Sequence, residues 1–148
     1  MGIADANTAG NVHGGTIMRL CDEAAGIAAI RHATTRVVTA GMDRMTFLEP
    51  VLVGQLVTFR AMVNAAWRTS LEVGVRVEAE DIRSGQVRHV SAAYLTMVAL
   101  DDDGRPTLVP ALEPSTDDEK RRQREAQVRR DNRLAERRSI LEARGPSA

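Results

Sequence analysis

Asp22 lies four residues after Met18 and three and four before Ala25 and Gly26, so a helix through this stretch puts a carboxylate on a face of small and apolar side chains. A carboxylate partly withdrawn from water is a stronger base, and a water molecule held against it can attack an activated carbonyl. The competing placement is solvent. Arg19 and Glu23, spaced as an i,i+4 pair, mark the wet side, and Asp22 is about 100° from Glu23 around the axis. Periodicity leaves both placements open. Just upstream, His13-Gly14-Gly15 enters the same helix. The first N–H groups of a helix have no acceptor of their own and favour negative charge, so Gly14 and Gly15 are candidates to hold a carbonyl oxygen as it gains charge. A plain hinge before a helix uses the same glycines. Asn7, in the preceding loop, has an amide able to orient water or a carbonyl, or to fold back into an Asx-turn. Cys21 has no evident base beside it and reads as core.

Other chemistries lack their residues. The sequence contains no G-x-S-x-G, no Walker loop and no G-x-G-x-x-G, and His13, His32 and His89 are scattered, with no His or Cys pair at metal spacing. Serine hydrolase, nucleotide-loop and zinc readings are disfavoured, and no metal is expected.

The elements that must position these residues are one helix and four strands. The opening MGIADANTAGNVHG, rich in Gly, Asn, Asp and Thr, reads as a loop without regular structure. From Gly15 to about Ala33 strong helix formers, no Pro and apolar residues every three or four positions predict one helix, whose small residues suit burial on several sides. A period of two then takes over, clearest in Leu71, Val73, Val75, Val77 and Ala79 alternating with Glu72, Gly74, Arg76, Glu78 and Glu80. Similar runs near 36–48, 55–66 and 87–100 are separated by turn chemistry at Glu49-Pro50, Ala66-Trp67-Arg68 and Ser84-Gly85. No helical crossover lies between them, so the sheet is expected to be mainly antiparallel and packed on the helix, an α+β class.

Length and 43% hydrophobic content suit a single core domain, expected over residues 1–114 and closed by Asp101-Asp102-Asp103-Gly104-Arg105-Pro106. Residues 115–148 carry 10 basic and 7 acidic side chains, against 10 and 13 before them, and form a charged region of their own. Thr116 with Glu119 is a capping-box signal, so a charged C-terminal helix of about 25 residues is expected there. Its acids interleave with its Arg residues and net charge is zero, which favours a solvated helix over a nucleic-acid arm. One cysteine, no leader-like opening and no run of about 18 apolar residues point to a cytoplasmic protein without a membrane span.

Taken in order, Asp5-Ala6-Asn7, Gly10-Asn11-Val12-His13-Gly14-Gly15, Met18 and Asp22-Glu23-Ala24-Ala25-Gly26 closely resemble the cytosolic acyl-CoA hydrolase family of hot-dog thioesterases. The similarity continues through Phe47-Leu48-Glu49-Pro50-Val51 with Gly54, Arg68-Thr69-Ser70-Leu71-Glu72-Val73 and Asp103-Gly104-Arg105-Pro106, and so covers most of the chain. The resemblance implies a hot-dog fold, a curved antiparallel sheet around a long central helix, with subunits joined edge to edge as dimers and a hexamer as a trimer of dimers. It implies hydrolysis of fatty acyl-CoA to free acid and coenzyme A, with no cofactor beyond the coenzyme A of the substrate. An Asn of one subunit and an acid on the central helix of its neighbour would face one thioester, which carries over to Asn7 and Asp22. Coenzyme A would lie near the Arg68-Thr69-Ser70 turn. A first strand ahead of the Asp5-Ala6-Asn7 loop also belongs to the family pattern, and only a few residues precede that loop here.

Three other readings compete: a non-catalytic hot-dog module that binds acyl-CoA, a hot-dog dehydratase using His13 with an acid, and an interaction protein acting through its charged tail.

Overall fold

The structure, a computed structural model, describes residues 1–145. The chain forms two compact units, the first spanning Met1–Ala111 and the second beginning at Leu112. In the first, helix α1 (Gly14–Ala33) is followed by strands β1 (Arg36–Phe47), β2 (Leu56–Ala66), β3 (Ser70–Glu80) and β4 (Val87–Leu100). Every pairing is antiparallel, in the order β1-β4-β3-β2. This is the α+β arrangement that the shift from a helical to a two-residue period predicts.

The buried stripe of α1 is Ile17, Cys21, Ala25, Ala29 and Ala33, four residues apart throughout. Small side chains at four of these five positions let the helix axis approach the sheet closely, where Leu71, Val73, Val75 and Val77 of β3 and Val90, Ala93, Leu95 and Met97 of β4 meet it. Register shifts in β1 between Thr39 and Gly41 and between Asp43 and Thr46, in β2 between Val63 and Ala65 and in β4 between His89 and Ser91 bend the strands. An extra residue on one strand increases local twist, which curves a sheet around a helix.

Two expectations need correction. The opening segment is not wholly irregular: Ile3–Asp5 form a 3-10 turn. The helix is also not gripped on several sides by its own chain. The sheet covers one face, and Met18, Ile27 and Ile30, outside the buried stripe, are 43%, 55% and 51% exposed.

In the second unit, helix α2 (Asp117–Arg144) starts from the capping box expected at Thr116. Its hydroxyl accepts from Glu119 N at 3.1 Å while the Glu119 carboxylate accepts from Thr116 N at 3.2 Å. Arg121 pairs with Asp118 and Glu125, and Arg122 with Asp118, along its exposed face. Among the described residues no helix is long and apolar enough to cross a membrane.

Candidate active site

The entry to α1 is built by its loop. Asn7 N donates to Asn11 O at 2.6 Å, Val12 N to Val51 O at 2.8 Å and His13 N to Asp5 O at 2.7 Å. Gly10 turns the chain at φ 83°, a left-handed conformation suited to glycine. The Asn7 side chain ties the same loop, its Oδ1 accepting from Ala9 N at 2.9 Å and Asn11 N at 3.1 Å. This is the Asx-type role. It also orients the amide, because an oxygen holding two backbone donors leaves the NH2 group as the end facing outward chemistry.

Within α1, backbone bonding begins with Thr16 N and Ile17 N, both donating to His13 O, at 3.0 and 3.3 Å. The N–H groups of Gly14 and Gly15 precede that first bond and so keep their donors. Asn7 and Gly14 line an open pocket of about 330 Å3, together with Asn11 and Glu49 and, on the apolar side, Val12, Ile17, Phe47 and Val51. A β-carbon at Gly14 would stand 3.3 Å from the Phe47 ring, whereas one at Gly15 would meet nothing within 4 Å. Glycine at 14 therefore admits the ring, and glycine at 15 leaves the helix start open.

Asp22 stands elsewhere. It is eight residues beyond Gly14, about 12 Å along the axis, on the exposed side of α1 with Arg19 and Glu23, which pair at 2.5 Å. The burial expected for Asp22 is absent within one chain: it flanks the buried stripe of the helix, next to Cys21, and stays exposed although the edge strand β1 reaches it through Thr39. Its Oδ1 accepts a hydrogen bond from Thr39 Oγ1 at 2.5 Å, and that hydroxyl also lies 3.5 Å from Met97 Sδ. Thr39 has no motif to announce it. It is one of the scattered polar residues of β1, and only folding brings it to a carboxylate 17 positions away.

Arg68, Thr69 and Ser70 form the β2–β3 turn, closed by Trp67 N donating to Ser70 O at 2.8 Å. Ser70 is opposite Val98, which is opposite Val38. Leu71, Met97 and Thr39 stand side by side on β3, β4 and β1, so Leu71 is roughly 10 Å from Thr39. Phe47 is eight residues along β1, roughly 25 Å away. The candidates thus fall into two sets: Asn7, Gly14 and Gly15 at the Phe47 end, and Asp22 with the Arg68-Thr69-Ser70 turn toward the Val38 end.

Cys21 is fully buried, and burial pushes its thiol up to about 11, which keeps it protonated and a poor nucleophile.

Residues 9–86 match the Thioesterase superfamily, more than half of the chain. The chain belongs to the thioesterase superfamily. The human cytosolic acyl coenzyme A thioester hydrolase is 39% identical over 131 residues, an overlap covering 87% of this chain and 34% of the human protein. The acyl-CoA hydrolase of Staphylococcus aureus, solved with butyryl coenzyme A, coenzyme A and coenzyme A disulfide, matches with a TM-score of 0.88 and 36% identity, over 97% of this chain and 87% of that one. A hexameric acyl-CoA thioesterase matches with a TM-score of 0.88 and 36% identity, over 92% of this chain and 87% of that one. Structures of the Staphylococcus aureus enzyme include alanine variants at one Asn, one Asp and one Thr. The sequence intervals between those three residues equal the intervals between Asn7, Asp22 and Thr39 in this thioesterase-superfamily chain.

Proposed function

We propose that this chain is an acyl-CoA thioesterase that hydrolyses fatty acyl-CoA to a free acid and coenzyme A at a site completed by two copies of the chain. The observation that carries this reading is the exposed Asp22 carboxylate, held by Thr39 at the margin of the sheet-covered face of α1. It is separated within one chain from the donor-lined pocket of Asn7 and Gly14. Each is half of a hydrolytic site. The exposed Met18, one helical turn before Asp22, gives a second copy an apolar surface to cover beside the carboxylate, and covering it takes Asp22 out of water. Hexameric relatives support self-association; the unit of this reading is a two-fold pair, repeated as a trimer of dimers.

In this mechanism Thr39 donates to one carboxylate oxygen of Asp22, leaving the other to take a proton from water. The water oxygen attacks the thioester carbonyl carbon. The partner copy's Asn7 NH2 and the N–H groups of its Gly14 and Gly15 hold the oxygen as it gains charge. Collapse of the tetrahedral intermediate breaks the C–S bond, and the coenzyme A thiolate takes the proton from Asp22. Arg68 with Thr69 and Ser70, on the Asp22 side, supplies a cation and hydroxyls for the phosphate and pantetheine groups. No cofactor or nucleic acid enters this reading, and the human relative, named a cytosolic hydrolase, supports a cytoplasmic location.

The test is thiol release from acyl-CoA substrates of several lengths by wild type, Asp22→Ala and Asn7→Ala, with oligomeric state verified for each. Wild type should turn over, and Asp22→Ala should lose on the order of a hundredfold or more in kcat, as removal of a general base demands. A wild type that binds acyl-CoA without releasing thiol would replace the hydrolase reading with that of an acyl-CoA-binding module.

A further inference from the structure

The pocket beside Gly14 has a wall that its floor does not require. Ile17, Val12 and Val51 close it from below and are 1%, 6% and 5% exposed, all members of the core. Phe47 stands at its side with 47% of its surface exposed, outside that core. The backbone beneath the ring is pinned to β4: Leu48 N donates to Val90 O at 2.8 Å, and Ser91 Oγ donates to Thr46 O at 2.8 Å. The ring is therefore held by main chain, lies against the first turn of α1 where Gly14 admits it, and contributes little to the interior.

The lining also says what the pocket takes. No Lys, Arg or His lines it, and its one charged member, the Glu49 carboxylate, is paired with Arg88. An apolar floor with donors at one side fits an acyl chain whose carbonyl sits at the donors. At about 330 Å3 the pocket lies at the low end of the ~300–1,000 Å3 range of small-molecule sites, so the position of one wall decides how much chain it admits.

We propose that Phe47 is the specificity-determining wall of the acyl compartment and sets the longest chain that is hydrolysed efficiently. This rests on the thioesterase reading. Each methylene that a hydrophobic pocket gains or loses changes discrimination by about tenfold or more, so moving this wall changes the ranking of substrates as well as their common rate.

The test compares kcat/KM over acyl-CoA substrates from butyryl to palmitoyl for wild type, Phe47→Ala, Phe47→Leu and Phe47→Trp, with Ile82→Ala as a truncation of an exposed apolar residue in the β3–β4 turn. The ratio of long-chain to short-chain kcat/KM should rise on the order of tenfold in Phe47→Ala, rise less in Phe47→Leu, fall in Phe47→Trp and stay at the wild-type value in Ile82→Ala. A uniform loss at every length, or unchanged ratios, overturns the assignment. If wild type releases no thiol from any substrate, the hydrolase reading fails by itself. Affinities for non-hydrolysable thioether analogues of the same lengths then decide Phe47 by the same ratios.

Discussion

Among the single residues, Thr39 is the one whose importance rests most on geometry. Its hydroxyl is 2.5 Å from the Asp22 carboxylate, and a hydrogen bond to a charged group contributes about 1.5–3 kcal/mol, enough to fix which oxygen faces water. Thr39→Val keeps the shape and removes the donor. It should lower kcat about tenfold or more with KM little changed and the thermal midpoint near wild type, and Thr39→Ser should restore most of the rate. Loss of KM alone would mark Thr39 as a substrate contact. Cys21 makes a separate prediction. Burial raises its thiol from an ordinary 9.0 to about 11, so the unfolded chain loses this proton first as pH rises. The stability held below pH 9 is lost between about pH 9 and 11. Scanning calorimetry across that window should show a steeper fall in Tm for wild type than for Cys21→Ala, and equal slopes would exclude the thiol as its cause.

The junction of α1 and β1 shows where an element ends against its residue's preference. Thr34 caps α1 in the left-handed region at φ 57°, its N–H donating to Ile30 O at 2.8 Å. A β-branched residue there carries a steric cost that glycine avoids. Thr34→Gly should stabilise the fold by about 1 kcal/mol in chemical denaturation, since the exposed side chain bonds only to its neighbour's carbonyl. A destabilised variant would mean that the hydroxyl bond outweighs the strain. The elements themselves were legible in the sequence because each announces itself through local periodicity: the i,i+4 stripe of small residues in α1, the alternation from Leu71 to Ala79 in β3, and Thr116 with Glu119 before α2. Illegible were the bulges in β1, since a register shift depends on the partner strand.

For the whole molecule, the separation of Asp22 from Asn7 is the decisive arrangement. Two copies related by a two-fold axis would make two equal sites, each taking Asp22 from one copy and Asn7 from the other. Asn7→Ala and Asp22→Ala variants, each inactive alone, should then complement when refolded together. Random pairing puts half the chains in mixed dimers, each with one intact site, so activity should recover to about a quarter of wild type. No recovery, with mixed oligomers demonstrated, would place both groups in one chain's site.

The sequence by itself determined the helix, the four strands, the charged C-terminal helix and the candidate residues, because period, capping and turn chemistry are written in neighbouring positions. Through the ordered run from Asp5 to Gly26 it also pointed to the family. It left Asp22 between an apolar stripe and solvent, since periodicity fixes an angle around a helix but not which side the sheet takes. Tertiary structure decided that: the sheet packs on Ile17, Cys21, Ala25, Ala29 and Ala33, which turns Asp22 outward. It also decided which strand residue meets that carboxylate, how the candidates divide between two ends of the sheet, and that Phe47 walls a pocket at Gly14. These are contacts across long stretches of chain, and no local pattern encodes them.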